Sequence, residues 1–173
     1  VLGAIMFVLA MAAAPTLAQE RTVTPSGLDV PRFVSLKFNR INVRRGPGID
    51  YRKDWVFVRK GLPVEVIAET EFWRRIRDWE GATGWVHHLQ LDSQRTVLVL
   101  EEVRPIHVAP DANTEVVAIA DPLKIGALER CAAGWCEITV EKITGWIQSE
   151  HLYGVYPADF QEANQATGAI EGG

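Results

Sequence analysis

Residues 42–51 read Asn-Val-Arg-Arg-Gly-Pro-Gly-Ile-Asp-Tyr. Pro47 presets φ for the second position of a turn, and Gly48 supplies the positive φ that the third position of a type II turn requires. The spacing therefore predicts a fixed loop with Gly46, Pro47 and Gly48 as its structural turn. The loop ends in Tyr51, close in sequence to Trp55. Two large rings there either close the end of a domain or form a shelf for a ligand. On both sides of the loop, Val-, Ile- and Trp-rich runs of a few residues are bounded by Gly, Pro and Asp. Apolar residues nowhere keep helical spacing for a dozen positions, so the chain reads as all-β.

A self-similarity organises these strands. Gly84-Trp85-Val86 has Trp73 twelve positions before its tryptophan, and Gly145-Trp146-Ile147 has Trp135 eleven before. Ile41-Asn42-Val43 is echoed by Ile106-His107-Val108, and the stretch from Val64 to Ala68 by that from Ile125 to Leu128. The repeat predicts two units, 32–94 and a diverged 97–156, after a linker at 19–31 and before a flexible polar tail at 157–173. Short strands in units this small favour tandem small barrels over one large sandwich. A 60-residue barrel buries only about 60% of its unfolded surface, so each gains from docking on the other.

Asn-Val-Arg-Arg-Gly-Pro-Gly-x-x-Tyr, then Lys60 to Val66 (KGLPVEV), Trp73 to Arg77 (WRRIR) and Gly84 to His87 (GWVH) together resemble the bacterial SH3-like domain family. The match spans nearly all of the first unit. The second keeps Gly145-Trp146-Ile147 and Trp135 but has Ala109-Pro110-Asp111 in place of the Arg-Arg-Gly stretch. The resemblance implies small barrels of five or more strands, export, and binding of peptidoglycan peptides or an envelope protein, without catalysis. Two other readings stand beside it: a structural adaptor for a protein partner, and a cell-wall hydrolase.

The residues themselves argue against enzymes and nucleic acid. A formal charge of −4 is far from the basicity of a nucleic-acid binder. With 47% apolar and 23% charged residues, the chain is globular rather than disordered. The sequence lacks H-E-x-x-H, G-x-S-x-G and a phosphate-binding glycine loop, and His87 and His88, as strand neighbours, are expected on opposite faces. No catalytic residue, metal site or cofactor is expected. Charge is split unevenly: residues 33–94 hold 11 Lys+Arg against 8 Asp+Glu, and 99–173 hold 4 against 12. The basic unit carries the expected ligand residues, Tyr51, Trp55, Arg74, Arg75, Arg77 and Trp79, which combine aromatic area with positive charge.

Residues 1–14 are apolar and uncharged, and Thr16-Leu17-Ala18 has the small-x-small form of a signal peptidase site. This predicts a signal peptide at 1–18 and a periplasmic or secreted protein without a stable membrane anchor, since the apolar run is shorter than the ~20 residues of a spanning helix. Aligning Trp73 on Trp135 without gaps places Glu69 on Cys131 and Arg74 on Cys136. Opposite charges are a common directly opposed pair on one sheet face. The two cysteines are therefore expected to face each other across a hairpin as a disulfide, which an oxidising compartment permits.

Overall fold

The computed structural model describes residues 24–160; the expected leader and most of the tail lie outside them. The described chain contains β-strands and short 3-10 turns. The first barrel comprises β1 (Arg32–Leu36), β2 (Ile41–Arg44), β3 (Lys53–Phe57), β4 (Pro63–Glu69), β5 (Trp73–Arg77), β6 (Thr83–His87) and β7 (Leu91–Asp92). The second comprises β8 (Thr96–Val99), β9 (Arg104–His107), β10 (Val116–Ala120), β11 (Ile125–Ala132), β12 (Trp135–Val140), β13 (Ile143–Gln148) and β14 (Leu152–Tyr153). Their sheets have the same order, β3-β2-β6-β5-β4-β1-β7 and β10-β9-β13-β12-β11-β8-β14. The chain is thus two tandem copies of one SH3-like barrel. Among the described residues no helix is long and apolar enough to cross a membrane.

Alternation along the strands builds each core. In β5, Arg74 and Ile76 point inward while Trp73, Arg75 and Arg77 point outward; in β12, Cys136, Ile138 and Val140 are the inward set. Ile41, Val43, Val64, Val66, Ile76 and Val86 fill the first core, and Val97, Val99, Ile106, Cys136, Ile138 and Ile147 the second. Burying each valine or isoleucine contributes about 1.5–3 kcal/mol, and their β-branching suits a pleated surface.

The register corrects one part of the expected repeat. Arg44 lies opposite Trp85, and His107 opposite Trp146. With the two Gly-Trp motifs superposed, Arg44 therefore corresponds to His107 and Val43 to Ile106, two positions from the match read off the sequence. An offset of two preserves which face each residue occupies, so hydrophobic pattern alone could not reveal it.

The hairpin alignment holds at residue level. Glu69 is directly opposite Arg74, and Cys131 directly opposite Cys136, where the two sulfurs form a disulfide. The strands run up to the pair Ala132 and Trp135, leaving Ala133 and Gly134, both at positive φ, as a two-residue turn. That is the backbone of a type I′ hairpin.

The barrels dock through strands and aromatic rings. Leu98 of the second sheet belongs to the first core, and Ile125 and Tyr153 pack against it. Thr96 Oγ1 donates to the Gly61 carbonyl (2.7 Å), Tyr153 Oη to the Arg77 carbonyl (2.9 Å) and Tyr156 Oη to Glu65 (2.6 Å). Burial and the adjacent Glu65 carboxylate push both phenols above their ordinary range, so they remain protonated donors. The first four residues of the expected tail are held in place. Pro157–Phe160 forms a 3-10 turn in which Asp159 pairs with Arg95 (2.9 Å) and Phe160 packs on the second core. The linker also has a tether, since the Ser26 amide donates to Glu69 (3.2 Å).

Candidate functional site

The loop between β2 and β3 is fixed by different chemistry from that expected. Gly48 is not among the glycines with positive φ, so the turn is not type II. Instead the Gly48 amide donates to the Gly46 carbonyl (3.0 Å), the bond of an inverse γ-turn centred on Pro47, whose ring presets the needed φ. Arg44 Nη1 then donates to the carbonyls of Ile49 (2.6 Å) and Tyr51 (2.7 Å), pinning the return of the loop to β2. The glycines are needed for space, because the Tyr51 ring lies across them. A Cβ on Gly46 would sit 2.4 Å from that ring, and one on Gly48 3.2 Å. Gly46→Ala is thus expected to displace Tyr51 and loosen the loop, while Gly48→Ala is tolerated. Amide exchange across residues 45–52 checks this; equal protection in the two variants would show that the ring does not depend on Gly46.

This loop forms one wall of a groove of about 310 Å³ lined by Asn42, Arg44, Ile49, Trp73, His87 and Gln90. Trp73 and His87 face each other across β5 and β6, their rings edge to face with centroids 5.4 Å apart. The Leu89 amide donates to His87 Nδ1 (3.3 Å), so the proton of the neutral imidazole is on Nε2. The groove therefore combines an indole surface, an imidazole donor and two side-chain amides that both give and accept hydrogen bonds. His87 and His88 do not take opposite faces. The strand ends at His87, a 3-10 turn begins, and the two rings lie 4.8 Å apart. Burial, then the neighbouring His87 and Arg74, lower the pKa of His88.

The second barrel carries the same groove, of about 300 Å³, lined by Pro105, His107, Ala112, Trp135, Gln148 and His151 together with Arg104. By the register above, these correspond one for one to Asn42, Arg44, Ile49, Trp73, His87 and Gln90, with Arg104 in addition. Only the tryptophan is kept. The loop brace is kept in kind: His107 Nδ1 donates to the Thr114 carbonyl (3.1 Å), as Arg44 does to its own loop. Along the same outer face, Arg75 stands beside Trp85 in the first barrel and Glu137 beside Trp146 in the second. Glu137 is paired with Arg130 (2.7 Å), whose guanidinium lies over the Trp146 ring at 5.1 Å. Beside this outer tryptophan the first barrel thus carries an arginine, and the second a Glu137–Arg130 ion pair.

The expected ligand residues are not brought together. Tyr51 covers the loop glycines, and Trp55 packs on Phe57 with ring centroids 6.1 Å apart. Arg74 points inward, enclosed with Glu69 (3.2 Å) and donating to the Thr70 carbonyl (2.8 Å), because strand alternation separates it from Arg75 and Arg77. Arg77 is held by Glu65 (2.8 Å), and Arg75 reaches Thr83 (3.3 Å) on the exposed face. Trp79 lines a separate apolar cleft at the barrel junction with Val56, Val58, Leu62, Leu98 and Leu123. Sequence reading missed Asn42, Ile49, Trp73, His87 and Gln90. The signal it had was Trp73 itself, one of the two tryptophans per unit that the repeat retains.

A family model, Bacterial SH3 domain, matches residues 37–92 and again 101–154. No curated protein matches. Among solved structures, NlpC2 from Trichomonas vaginalis is 11% identical with a TM-score of 0.34, over 72% of this chain and 48% of that one. NlpC1 from the same organism is 12% identical with a TM-score of 0.33, over 71% and 45%. The chain spans about half the length of each. Two family matches, each coinciding with a barrel of the same strand order and together covering more than half of the sequence, place this chain in the bacterial SH3 domain family.

Proposed function

We propose that the chain is an exported, non-catalytic binding module whose first groove takes a carboxylate-bearing cell-wall peptide. Bacterial SH3 domains are generally binding modules, and the observation that carries the finer reading is the paired groove. A site retained in both barrels around one tryptophan, while its other lining residues change, fits a common platform with separately tuned contacts. In the first barrel Trp73 supplies the apolar surface, Asn42 and Gln90 pair with peptide groups, His87 Nε2 donates, and Arg75 offers a cation to a carboxylate. Export is supported by the leader-like residues 1–18 and by the Cys131–Cys136 disulfide, which belongs to an oxidising compartment.

Titration with a soluble muropeptide bearing a free carboxylate tests this. Trp73→Ala is expected to weaken binding at least about thirtyfold, equivalent to the ~2 kcal/mol of an aromatic anchor. Arg75→Ala should weaken it less and flatten its salt dependence. Unchanged affinity in Trp73→Ala would remove the groove from the site. Release of soluble fragments from purified cell wall, abolished in the same variant, would make the protein a hydrolase instead.

A further inference from the structure

The outer edge of the second sheet has an open strand. β10 is terminal in its sheet, paired only with β9, and among the described residues no backbone bond leaves Val116–Ala120 except through that ladder. Its sequence, Val-Val-Ala-Ile-Ala, carries no charge, yet Val116, Val117 and Ile119 are 45, 39 and 61% exposed. The equivalent edge of the first sheet is guarded. β3 has the same one-residue bulge, but Lys53 and Asp54 occupy the positions of Val116 and Val117, and Asp54 is held by Arg45 (2.6 Å) and Arg52 (3.2 Å). Edge strands that are not meant to pair carry charges of this kind. One fold thus presents a blocked edge and an unblocked one.

Charge decides what the open edge accepts. Glu115 and Asp121 stand exposed at the two ends of β10. If a second copy paired antiparallel about Ala118, Glu115 of each chain would face Asp121 of the other, placing like charges opposite each other twice. Arg104, across the ladder from Ala120, already faces Glu102 (3.2 Å) and does not offset them. We infer that the β10 edge takes an added strand from another polypeptide, an extended apolar segment flanked by Lys or Arg. Main-chain bonds to the free edge supply the pairing, Val117 and Ile119 contact alternate side chains, and Glu115 and Asp121 meet the basic ends. The segment would dock independently of the Trp73 groove, which lies on the other barrel.

The probe is a capped synthetic peptide, Lys-Val-Thr-Val-Thr-Val-Lys, titrated into the isotope-labelled protein and followed by amide shifts. Changes should concentrate at residues 115–121, and a peptide with Glu at both ends should bind at least tenfold more weakly. Ile119→Lys, at the most exposed position, and Val117→Asp, which copies the guarded edge, should each weaken the Lys-ended peptide tenfold or more. Trp73→Ala should leave it unchanged, which separates this proposal from the groove reading. No shifts at β10 at millimolar peptide, or equal affinity for both peptides, overturns it. So does a concentration-dependent dimer in sedimentation equilibrium that Ile119→Lys abolishes, since the occupant is then a second copy.

Discussion

Glu69→Ala is expected to cost the first barrel about 3–5 kcal/mol, the range for breaking a buried ion pair by removing one partner. The Glu69 side chain is fully enclosed, accepts from the Ser26 amide (3.2 Å), and is paired with Arg32 and with Arg74 Nε (3.2 Å). Its removal strands two guanidiniums, one of them almost entirely buried. Arg74→Ala should cost less, because Arg32 and Ser26 still hold the carboxylate. Burial pushes the Glu69 carboxyl up, but hydrogen bonds from Ser26 and Arg32 outweigh it, and the net pKa lies below the ordinary value. A carboxyl depressed in the folded state contributes stability that is present above its unfolded pKa and lost as pH falls through the folded one. Wild-type stability should therefore drop on acidification below the ordinary carboxylate range by more than that of Glu69→Gln. Urea denaturation from neutral to acidic pH measures both effects. A neutral-pH cost under about 1 kcal/mol, the size of an exposed pair, would show that the cluster is not enclosed.

The same register position explains how far the sequence could be read. Opposed charges at Glu69 and Arg74 were enough to place Cys131 against Cys136, because directly opposed residues on a hairpin are set by local spacing. Yet composition also groups Arg74 with Arg75 and Arg77 as ligand residues, although consecutive strand residues cannot share a face. The pairing was legible and its depth was not: an inward arginine with its own carboxylate looks in sequence like part of a basic surface patch. His87 and His88 illustrate a second limit, since the alternation expected of them held only while the strand continued. The groove shows a third. Asn42, Trp73, His87 and Gln90 come from four separate segments, and only the sheet order β2-β6-β5 together with the 3-10 turn after β6 brings them side by side.

Charge asymmetry, by contrast, was visible in composition and takes on local meaning in the folded chain. The excess of acid after residue 99 includes Glu137 at the position of Arg75, and Glu115 and Asp121 at the ends of β10. Glu137 is engaged in its pair with Arg130, whereas Glu115 and Asp121 leave the second barrel's open strand between carboxylates. Divergence of the repeat has thus changed the charges that each barrel presents while leaving its strand order alone.

The Gly-Trp pair that marks each unit has a steric origin, and Gly145→Ala is expected to be among the most damaging single changes in the second barrel. At Gly145 a Cβ would lie 2.6 Å from Ile106 Cγ2, 2.7 Å from the His107 carbonyl oxygen and 3.1 Å from Val117 Cγ2. At Gly84 it would lie 2.3 Å from Val43 Cγ1, 3.0 Å from Trp55 Cη2 and 3.2 Å from the Arg44 carbonyl oxygen. Neither glycine has positive φ, so the requirement is room for β9 and β2 to cross close over β13 and β6. Overpacking a core costs about 1–3 kcal/mol when side chains can give way. Gly84→Ala belongs in that range, since its worst contact is a side-chain methyl. Gly145→Ala should exceed about 3 kcal/mol because a backbone carbonyl must move, lowering the melting temperature by more than about 10 °C for a domain of this size. A second substitution separates the two causes. Val43→Ala removes the methyl that Gly84→Ala strikes, so the double variant should be more stable than the sum of the single losses predicts. Ile106→Ala leaves the His107 carbonyl in place and should rescue Gly145→Ala much less. Equal rescue at both sites would mean that side-chain crowding alone dictates the glycine, and the backbone crossing would lose its role in fixing the motif.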